Sequence, residues 1–390
     1  MLTESRTPRS PETSHWPNYR FGFILTTCLG NSTRYNNLRK YAERDPEVEC
    51  VWAPINYQVP EEQAALLKKL PSPLYWQSVS LYQASTVLKQ LHRLDAVMVH
   101  QFEPSMVLSL RRLAAQYPVI VSSTDDTPLI NPEGHPMYPN ELRRSPFLQK
   151  LRLWMDLWRA RQADMSLPMS YWAGNILTQD CGVANNTVHS IPVGLDLEDW
   201  PAVPPRSPKT TANPKILFVG NDFQRKGGDL LLQVHQQHFA DQVELHLVTK
   251  EPVAAHLPNV FVYNNITVKD DRLRRLYAEA DLFVLPTTCD LVPWVCLEAM
   301  ASSCPVISTK VGGIPDLIRP GENGWLIEPG DAQALVQSIQ HLLDNPAQRQ
   351  RMGQRGREIV EQEFSAAVNV PRMLNLMKQR VNFQRTKLAN

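Results

Sequence analysis

Short apolar runs alternate with amphipathic stretches along most of the chain. Apolar runs bounded by polar turns are typical of buried strands, and strands that alternate with helices predict βαβ units around a parallel sheet. In the first half the predicted strands lie at 20–30, 95–102, 117–126 and 186–194, and the predicted helices lie at 61–70, 79–93, 104–116 and 145–162.

The alternation stops at a Pro-rich stretch and then begins again. Residues 200–214 read WPAVPPRSPKTTANP and lack apolar periodicity, which is typical of a linker. The strands predicted beyond it lie at 215–222, 243–250, 259–265, 280–288, 304–313 and 323–330. The chain is therefore predicted to be an α/β protein with two parallel-sheet halves, and a ligand is expected in the crevice at the carboxyl ends of the strands.

These patterns predict five segments. A polar, Pro-rich and disordered leader occupies 1–19, and the N-terminal half follows over 20–200. The linker covers 201–214 and the C-terminal half covers 215–370. A basic C-terminal helix and tail, 371–390, is expected to return to the N-terminal half.

Composition narrows the class of protein. Hydrophobic residues make up 43% and charged residues 20% of the chain, and the formal net charge is +1. Such a balance argues against a nucleic-acid partner, because phosphate contacts need an excess of Lys and Arg. No apolar run reaches the roughly 18 to 20 residues of a spanning helix, and the leader lacks the apolar core of a signal peptide. Six cysteines without a CxxC pair indicate reduced thiols and a cytoplasmic protein.

The first chemical motif is FVGNDFQRKGGDLLL at 218–232, where a predicted strand runs through a glycine turn into a helix. Gly220 and Asn221 begin the turn, and Arg225 and Lys226 precede a glycine pair. Glycines permit close approach to an anion, and the helix start and the cations would hold a diphosphate. A solvated basic turn is the structural alternative.

The second motif is TTCDLVPWVCLEAMAS at 287–302. Asp290 is expected just before a helix, Pro293 in its first turn and Glu298 in its second. The backbone N–H groups of Trp294 and Val295 are expected to be open to an anion. Two carboxylates beside such a helix indicate recognition of sugar hydroxyls, since each carboxylate accepts two hydrogen bonds. A Glu298 that pairs with a basic side chain inside the domain is the alternative.

A glycine pair, Gly312–Gly313, ends a further strand at the same edge and precedes Pro315 and Asp316. With this turn, the stretch DLFVLPTTCDLVPWVCLEAMASSCPVISTKVGGIPDLIRPGENGWLIEPGD resembles the donor half of family 4 glycosyltransferases. That family carries two Glu separated by seven residues, the second followed by Ala-Met-Ala, and a Gly-Gly-x-Pro-Glu turn. The resemblance spans about 20–375 and is specific in the C-terminal half.

The resemblance implies a GT-B fold: two Rossmann-like domains facing a central cleft, an acceptor domain followed by a donor domain. It implies retaining transfer of a sugar from a nucleotide diphosphate sugar, the co-substrate, to a hydroxyl of an unknown acceptor such as a glycan or lipid-linked molecule. Polysaccharide biosynthesis is a typical setting. No cofactor and no metal are expected, because helix termini and basic side chains stabilise the leaving diphosphate in this family.

Residue roles follow from the same resemblance. Glu298 corresponds to the Glu that binds ribose hydroxyls, and Asp290 takes the place of the Glu beside the transferred sugar. Arg225 and Lys226 correspond to the basic pair on the diphosphate. Asp290 is one methylene shorter than the family's Glu, and Leu291-Val292-Pro293 replaces a common Gly-Phe-Gly, so a reshaped sugar pocket is expected. Asn221 stands where an Arg is frequent.

In the N-terminal half the resemblance is looser. Gly30 and Asn31 lie where the family places a loop near phosphate and acceptor, although a plain strand–helix turn is equally consistent. Asp125 and Asp126 stand where relatives have a His near the donor sugar, and Asp125 is the catalytic candidate; an Asx turn is the alternative. His100 ends an apolar strand and is either structural or a further site residue.

Two other functions on the same fold are a non-catalytic binder of nucleotide sugars and a sugar-nucleotide epimerase. The departures at Asp290 and Pro293 favour the first, and the Glu-Ala-Met-Ala run argues against the second. At 143–162 an apolar helical face with two Trp is flanked by Arg and Lys. This pattern is typical of peripheral contact with the inner face of an anionic membrane, or of a helix packed on the N-terminal sheet.

Overall fold

The computed structural model of the 390-residue chain describes residues 17–27, 31–55, 82, 91, 93–100, 119–123, 154, 158, 161–202, 213–253, 257–268 and 270–389. The leader predicted over 1–19 falls outside this range up to residue 16, and Tyr19 already lies in the first strand. The helices predicted at 61–70, 79–93, 104–116 and 145–162 lie almost entirely outside it.

The N-terminal half is built around a five-stranded parallel sheet in the order β2-β1-β3-β4-β5. The buried interior of β3 and β4 reflects their apolar runs. The elements of the N-terminal half up to this point are β1, Tyr19–Thr26; α1, Asn31–Ala42; β2, Val48–Ile55; β3, Ala96–His100; β4, Val119–Ser123; and β5, Met165–Ser166.

The hydrophobic pattern does not predict two strands of this sheet, β2 and β5, and one predicted strand is wrong. β2 is an edge strand whose outer positions are exposed, and β5 has only two residues. The predicted strand at 186–194 is irregular: it has a single 3-10 turn, Asn185–Thr187, and an isolated bridge between Val188 and Ser166. A short helix, α2, Tyr171–Asn175, continues into a π-helical turn, Ile176–Asp180.

All six strands predicted for the C-terminal half are present in one parallel sheet, with the order β11-β10-β9-β6-β7-β8. Read from the other edge, the order is that of a Rossmann fold, so the topological switch point lies between β6 and β9. The strands are β6, Lys215–Val219; β7, Glu244–Val248; β8, Val260–Tyr263; β9, Leu282–Leu285; β10, Val306–Thr309; and β11, Gly324–Ile327.

Helices cover both faces of this sheet and bury one continuous apolar core. Asp270 and Asp331 cap two of them by accepting a hydrogen bond from a first-turn N–H group. They are α3, Gly228–His238; α4, Asp271–Glu279; α5, Trp294–Ala301; α6, Ile314–Leu317; α7, Ala332–Asp344; and α8, Pro346–Glu363.

The chain crosses between the halves twice, and the two crossings pair with each other. Leu195 N donates to the carbonyl oxygen of Phe364 at 2.7 Å, and Ala366 N donates to that of Leu195 at 2.9 Å. The last helix, α9, Ala366–Ala389, then packs on the N-terminal core. The boundary predicted at residue 370 therefore falls inside one continuous helix. Lys378 anchors it to the loop before β2 through Asp45 at 2.8 Å.

No helix in the described residues is both long and apolar enough to cross a bilayer. The described residues include five cysteines, and all of these but Cys50 are buried. Of the predicted membrane-contacting helix at 143–162, only Trp154, Trp158 and the last two residues are described. The Trp154 side chain is exposed, whereas Trp158 packs in part on the N-terminal core.

Candidate functional site

The predicted phosphate turn and the loop after β9 meet at the switch point of the C-terminal sheet. Gly227 has a φ of 77°, and a Cβ there would lie 2.1 Å from the carbonyl oxygen of Pro286. Only glycine permits both this conformation and this approach. Beside it, the carbonyl oxygen of Arg225 accepts hydrogen bonds from Thr288 N at 2.8 Å and from Thr287 Oγ1 at 3.1 Å. The two loops therefore form one unit.

This unit holds a compact group of charges. Lys226 Nζ donates to Asp290 Oδ2 at 2.8 Å, and Arg225 Nη1 lies 3.8 Å from the same oxygen. Arg225 is oriented by Asp222 Oδ2, 2.6 Å from its Nε, and by the carbonyl oxygen of Cys289. The Lys226 and Asp290 side chains are only 17% and 15% exposed, so solvent screens their interaction weakly. Cations held in this way differ from those of a freely solvated turn.

Glu298 lies in the second turn of α5 and is 5% exposed. Its Oε2 accepts a hydrogen bond from the Tyr277 hydroxyl at 2.9 Å, so its partner is a neutral hydroxyl and not the basic side chain that the alternative required. Burial raises the pKa of Glu298 to about 7, and the Tyr277 hydrogen bond and the charges of Lys226 and Arg274 oppose that rise. A carboxylate buried at such a cost is typical of a binding or catalytic position.

The glycine turn after β10 packs closely against the loop that contains Asp290. Gly312 has a φ of 54°, and a Cβ there would lie 2.1 Å from the carbonyl oxygen of Asp290. Gly313 N donates to the carbonyl oxygen of Leu291 at 2.7 Å. Asp316 then reaches the N-terminal half, where its Oδ2 accepts a hydrogen bond from Trp172 N at 2.9 Å. The segments that follow the carboxyl ends of the two sheets therefore contact each other at this point.

The remaining donor-side candidates surround the same charges. Gly220 follows β6 directly and is buried, and Asn221 beside it is exposed. Trp294 and Val295 are the first two residues of α5 and are partly buried. Their N–H groups belong to the first helical turn, which has no intrahelical acceptor for them. The structure thus brings all seven predicted donor-binding residues to the loops around β6 and β9 and to α5.

The N-terminal candidates are only partly described. Asn31 begins α1, while Gly30 and Asp125 lie outside the described residues. His100 is buried at the end of β3, and its Nδ1 lies 2.9 Å from the carbonyl oxygen of Ser123. The Arg34 guanidinium contacts the same ring. Burial, and then the charge of Arg34, lower the pKa of His100 well below its usual value, so the imidazole is neutral.

Sequence reasoning missed three residues that organise this cleft. Asp222 orients Arg225, Tyr277 holds Glu298, and Asp316 joins the halves. Asp222 lies three residues before Arg225, a spacing that can indicate a local ion pair. Tyr277 fits the apolar face of α4 and carries no separate signal. Asp316 follows the glycine turn, and the sequence there carries no signal of a contact with the other half.

Comparisons with known proteins find similarity to glycosyltransferases. Residues 213–345, which contain all of the donor-side residues above, match the family described as "Glycosyl transferases group 1". The sulfoquinovosyl transferase SQD2 of Arabidopsis thaliana is 26% identical over 359 residues, 85% of this chain and 67% of that protein. An "MMP alpha-(1->4)-mannosyltransferase" of Mycolicibacterium hassiacum is 29% identical over 216 residues, 53% of this chain and 52% of that protein. The chain thus matches about two thirds of the length of the first relative and about half of the second.

Solved structures show the same fold over nearly the whole chain. Sucrose-phosphate synthase from Thermosynechococcus elongatus superposes with a TM-score of 0.67 at 20% identity, covering 93% of this chain and 98% of its own. Anabaena HepE in complex with UDP superposes with a TM-score of 0.67 at 16% identity, covering 92% and 100%. Fold and family domain together make this chain a glycosyltransferase of the GT-B fold.

Proposed function

We propose that the protein is a retaining glycosyltransferase that moves a sugar from a nucleotide diphosphate sugar to an acceptor hydroxyl. The observation that carries the proposal is the placement of Arg225 and Lys226 at the switch point, beside the start of α5 and the buried carboxylate of Glu298. Ligands of open parallel sheets bind at such points, and two cations with a helix N-terminus suit a diphosphate.

In this proposal the donor spans the mouth of the C-terminal sheet. Glu298 accepts hydrogen bonds from the ribose hydroxyls, and Arg225 and Lys226 contact the diphosphate together with the first N–H groups of α5. Asp222 and the Cys289 carbonyl keep Arg225 in place before the donor arrives, which reduces the cost of ordering it on binding. Anabaena HepE, a structural neighbour, has been solved with UDP-glucose, and that fold-level likeness is consistent with this placement.

The transfer step breaks the bond between the sugar's anomeric carbon and the diphosphate oxygen, which leaves with the bonding electrons. The acceptor oxygen attacks that carbon from the same face, and its proton passes to the departing diphosphate. Lys226 and Arg225 stabilise the negative charge that develops on the leaving group. Asp290, which already bonds Lys226, both orients that cation and lies beside the sugar. The scheme requires no metal ion, and this metal independence stays a prediction.

The acceptor is proposed to bind the N-terminal half, whose sheet presents its carboxyl edge to the same cleft. A glycan or lipid-linked hydroxyl is the proposed class, and the mannosyltransferase among the relatives is named for an α linkage. Asp125 stays a proposed catalytic residue, and Gly30 and Asn31 stay proposed acceptor-loop residues. Peripheral attachment to the inner face of a membrane through 143–162 also stays a prediction.

The experiment begins with a thermal-shift panel of UDP-, GDP- and ADP-sugars, because a ligand that binds the native state raises its melting temperature. Slow hydrolysis of the stabilising donor is then followed by proton NMR without acceptor. A retaining enzyme releases first the anomer that the donor carried, whereas release of the opposite anomer would show inversion. Binding without any hydrolysis would favour the non-catalytic binder.

A matched pair of variants links the activity to the site. Lys226→Met should lower turnover by at least about tenfold, the range for lost electrostatic stabilisation. Lys310→Met removes an equivalent charge from an exposed pair with Glu328 and should leave turnover unchanged. Equal turnover in the two variants would remove Lys226 from the mechanism.

A further inference from the structure

We propose that Tyr277 is a positioning residue for the donor, because its hydroxyl bonds one oxygen of the Glu298 carboxylate and so orients the other toward the ribose hydroxyls. The inference rests on the proposed function, in which Glu298 binds ribose. Tyr277 itself is 0% exposed, so it cannot touch the donor and acts only through Glu298.

The geometry divides the carboxylate into two parts. The Tyr277 hydroxyl donates to Oε2 at 2.9 Å, and no hydrogen bond from the described residues reaches Oε1. A hydroxyl bonded to one oxygen fixes the rotation of the carboxylate plane and leaves the other oxygen's lone pairs for an incoming ligand. Without that hydroxyl a nearly buried carboxylate would lose the hydrogen bond to one oxygen.

The phenol ring is itself fixed on two sides. It lies edge-on to Trp200, with ring centroids 5.3 Å apart, and against Phe283 at 5.6 Å. Trp200 belongs to the first crossing between the halves, and its carbonyl oxygen accepts a hydrogen bond from Arg357 Nη1 at 2.6 Å. The hydroxyl therefore has little freedom to leave Glu298, which is the condition for a preorganised site.

Among the titratable groups around Glu298, the Tyr277 hydroxyl has the largest effect in lowering the pKa of this carboxyl group. Lys226 comes from the turn before α3, Arg274 and Tyr277 come from α4, and Cys296 lies on the same helix as Glu298. The opposing effects leave the pKa of Glu298 at about 7, with burial raising it and the Tyr277 hydrogen bond the largest influence lowering it. Loss of the hydroxyl therefore favours the protonated form, which accepts fewer hydrogen bonds from ribose.

The test is the pH profile of nucleotide affinity, measured by titration calorimetry from pH 5.5 to 9 with UDP, or with GDP or ADP if UDP does not bind. Tyr277→Phe removes one oxygen and keeps the ring. The matched control is Tyr263→Phe, which removes a hydroxyl bonded to His246 in the same domain at 2.9 Å. The phosphate of the probe titrates equally in all variants, so it cancels in the comparison.

We expect Tyr277→Phe to move the midpoint of binding up by about one pH unit, so that affinity is about fivefold weaker near pH 7 and approaches wild type at pH 9. Tyr263→Phe should follow the wild-type profile. Glu298→Gln should bind weakly at every pH, without a midpoint of its own. A midpoint shared by Tyr277→Phe and wild type, with wild type binding normally, would overturn the inference and leave the proposed function intact. Failure of wild type to bind any of the three nucleotides would overturn both.

A second measurement takes its main readout from the wild-type sequence, so its result stands even where the Phe variant folds poorly. Biosynthetic 3-fluorotyrosine makes every tyrosine hydroxyl a stronger hydrogen-bond donor, so the wild-type chain carrying it should show a midpoint at lower pH. The same labelling of Tyr277→Phe should leave its midpoint unmoved. A midpoint that stays constant on fluorination of the wild-type chain would count against Tyr277.

Discussion

Glu298→Gln should stabilise the ligand-free protein at neutral and basic pH while it weakens donor binding. In the unfolded chain Glu298 ionises above its ordinary pKa of 4.5, whereas in the folded protein it ionises only above about pH 7. Between these values the unfolded state binds fewer protons, so the free energy of unfolding falls as pH rises. This decrease in the free energy of unfolding is complete above about pH 7 and is absent at pH 4. Glutamine keeps an oxygen for the Tyr277 hydroxyl and carries no charge to bury.

The size of the effect follows from the two pKa values. A pKa raised from 4.5 to about 7 corresponds to a cost on the order of 3 kcal/mol for the ionised side chain. At roughly 2 to 4 °C per kcal/mol, the melting temperature of the variant should exceed that of wild type by several degrees at pH 8. At pH 4.5 the two proteins should melt together.

The assay is thermal unfolding without nucleotide at half-unit steps from pH 4.5 to 8.5. Glu328→Gln, which neutralises an exposed carboxylate paired with Lys310, is the matched control and should follow wild type apart from a small offset. The quantity compared is the difference in melting temperature as a function of pH. Parallel profiles for Glu298→Gln and wild type would refute the claim that Glu298 is buried at a cost in free energy.

Three further predictions concern the loops of the cleft. Gly312→Ala places a Cβ 2.1 Å from the Asp290 carbonyl oxygen and should reduce both stability and nucleotide affinity, whereas Gly321→Ala has a comparable positive φ with nothing within 4 Å and should cost only about 1 kcal/mol of stability. Asp290→Asn should lower turnover, and Asp290→Glu should lower it too while binding of the bare nucleoside diphosphate persists; full turnover in the Asn variant would exclude a role for this carboxylate in transfer. Turnover in excess chelator should equal turnover with added magnesium, and loss of activity that only metal restores would contradict the metal-independent mechanism.

Local pattern was sufficient for most of the C-terminal half. Each of its strands is a short apolar run between polar turns, and such a run becomes a central strand wherever both faces are covered by helices. The resemblance around Asp290 and Glu298 then predicted which edge of the sheet carries the site. The loops at β6 and β9 had to meet, because the topology that buries these strands also places their carboxyl ends on either side of the switch point.

Features that depend on distant partners could not be predicted from the sequence. β2 has exposed outer positions and β5 has two residues, so each is a strand only because a neighbour supplies its hydrogen bonds. Tyr277 reads as an ordinary core residue of α4, and only the packing of α4 beside α5 turns its hydroxyl toward Glu298. The Asp316 carboxylate likewise gains its partner, Trp172 N, from the other half. Periodicity reports which face of an element is buried, whereas the tertiary structure decides which atoms that face meets, because those contacts join residues far apart in the chain.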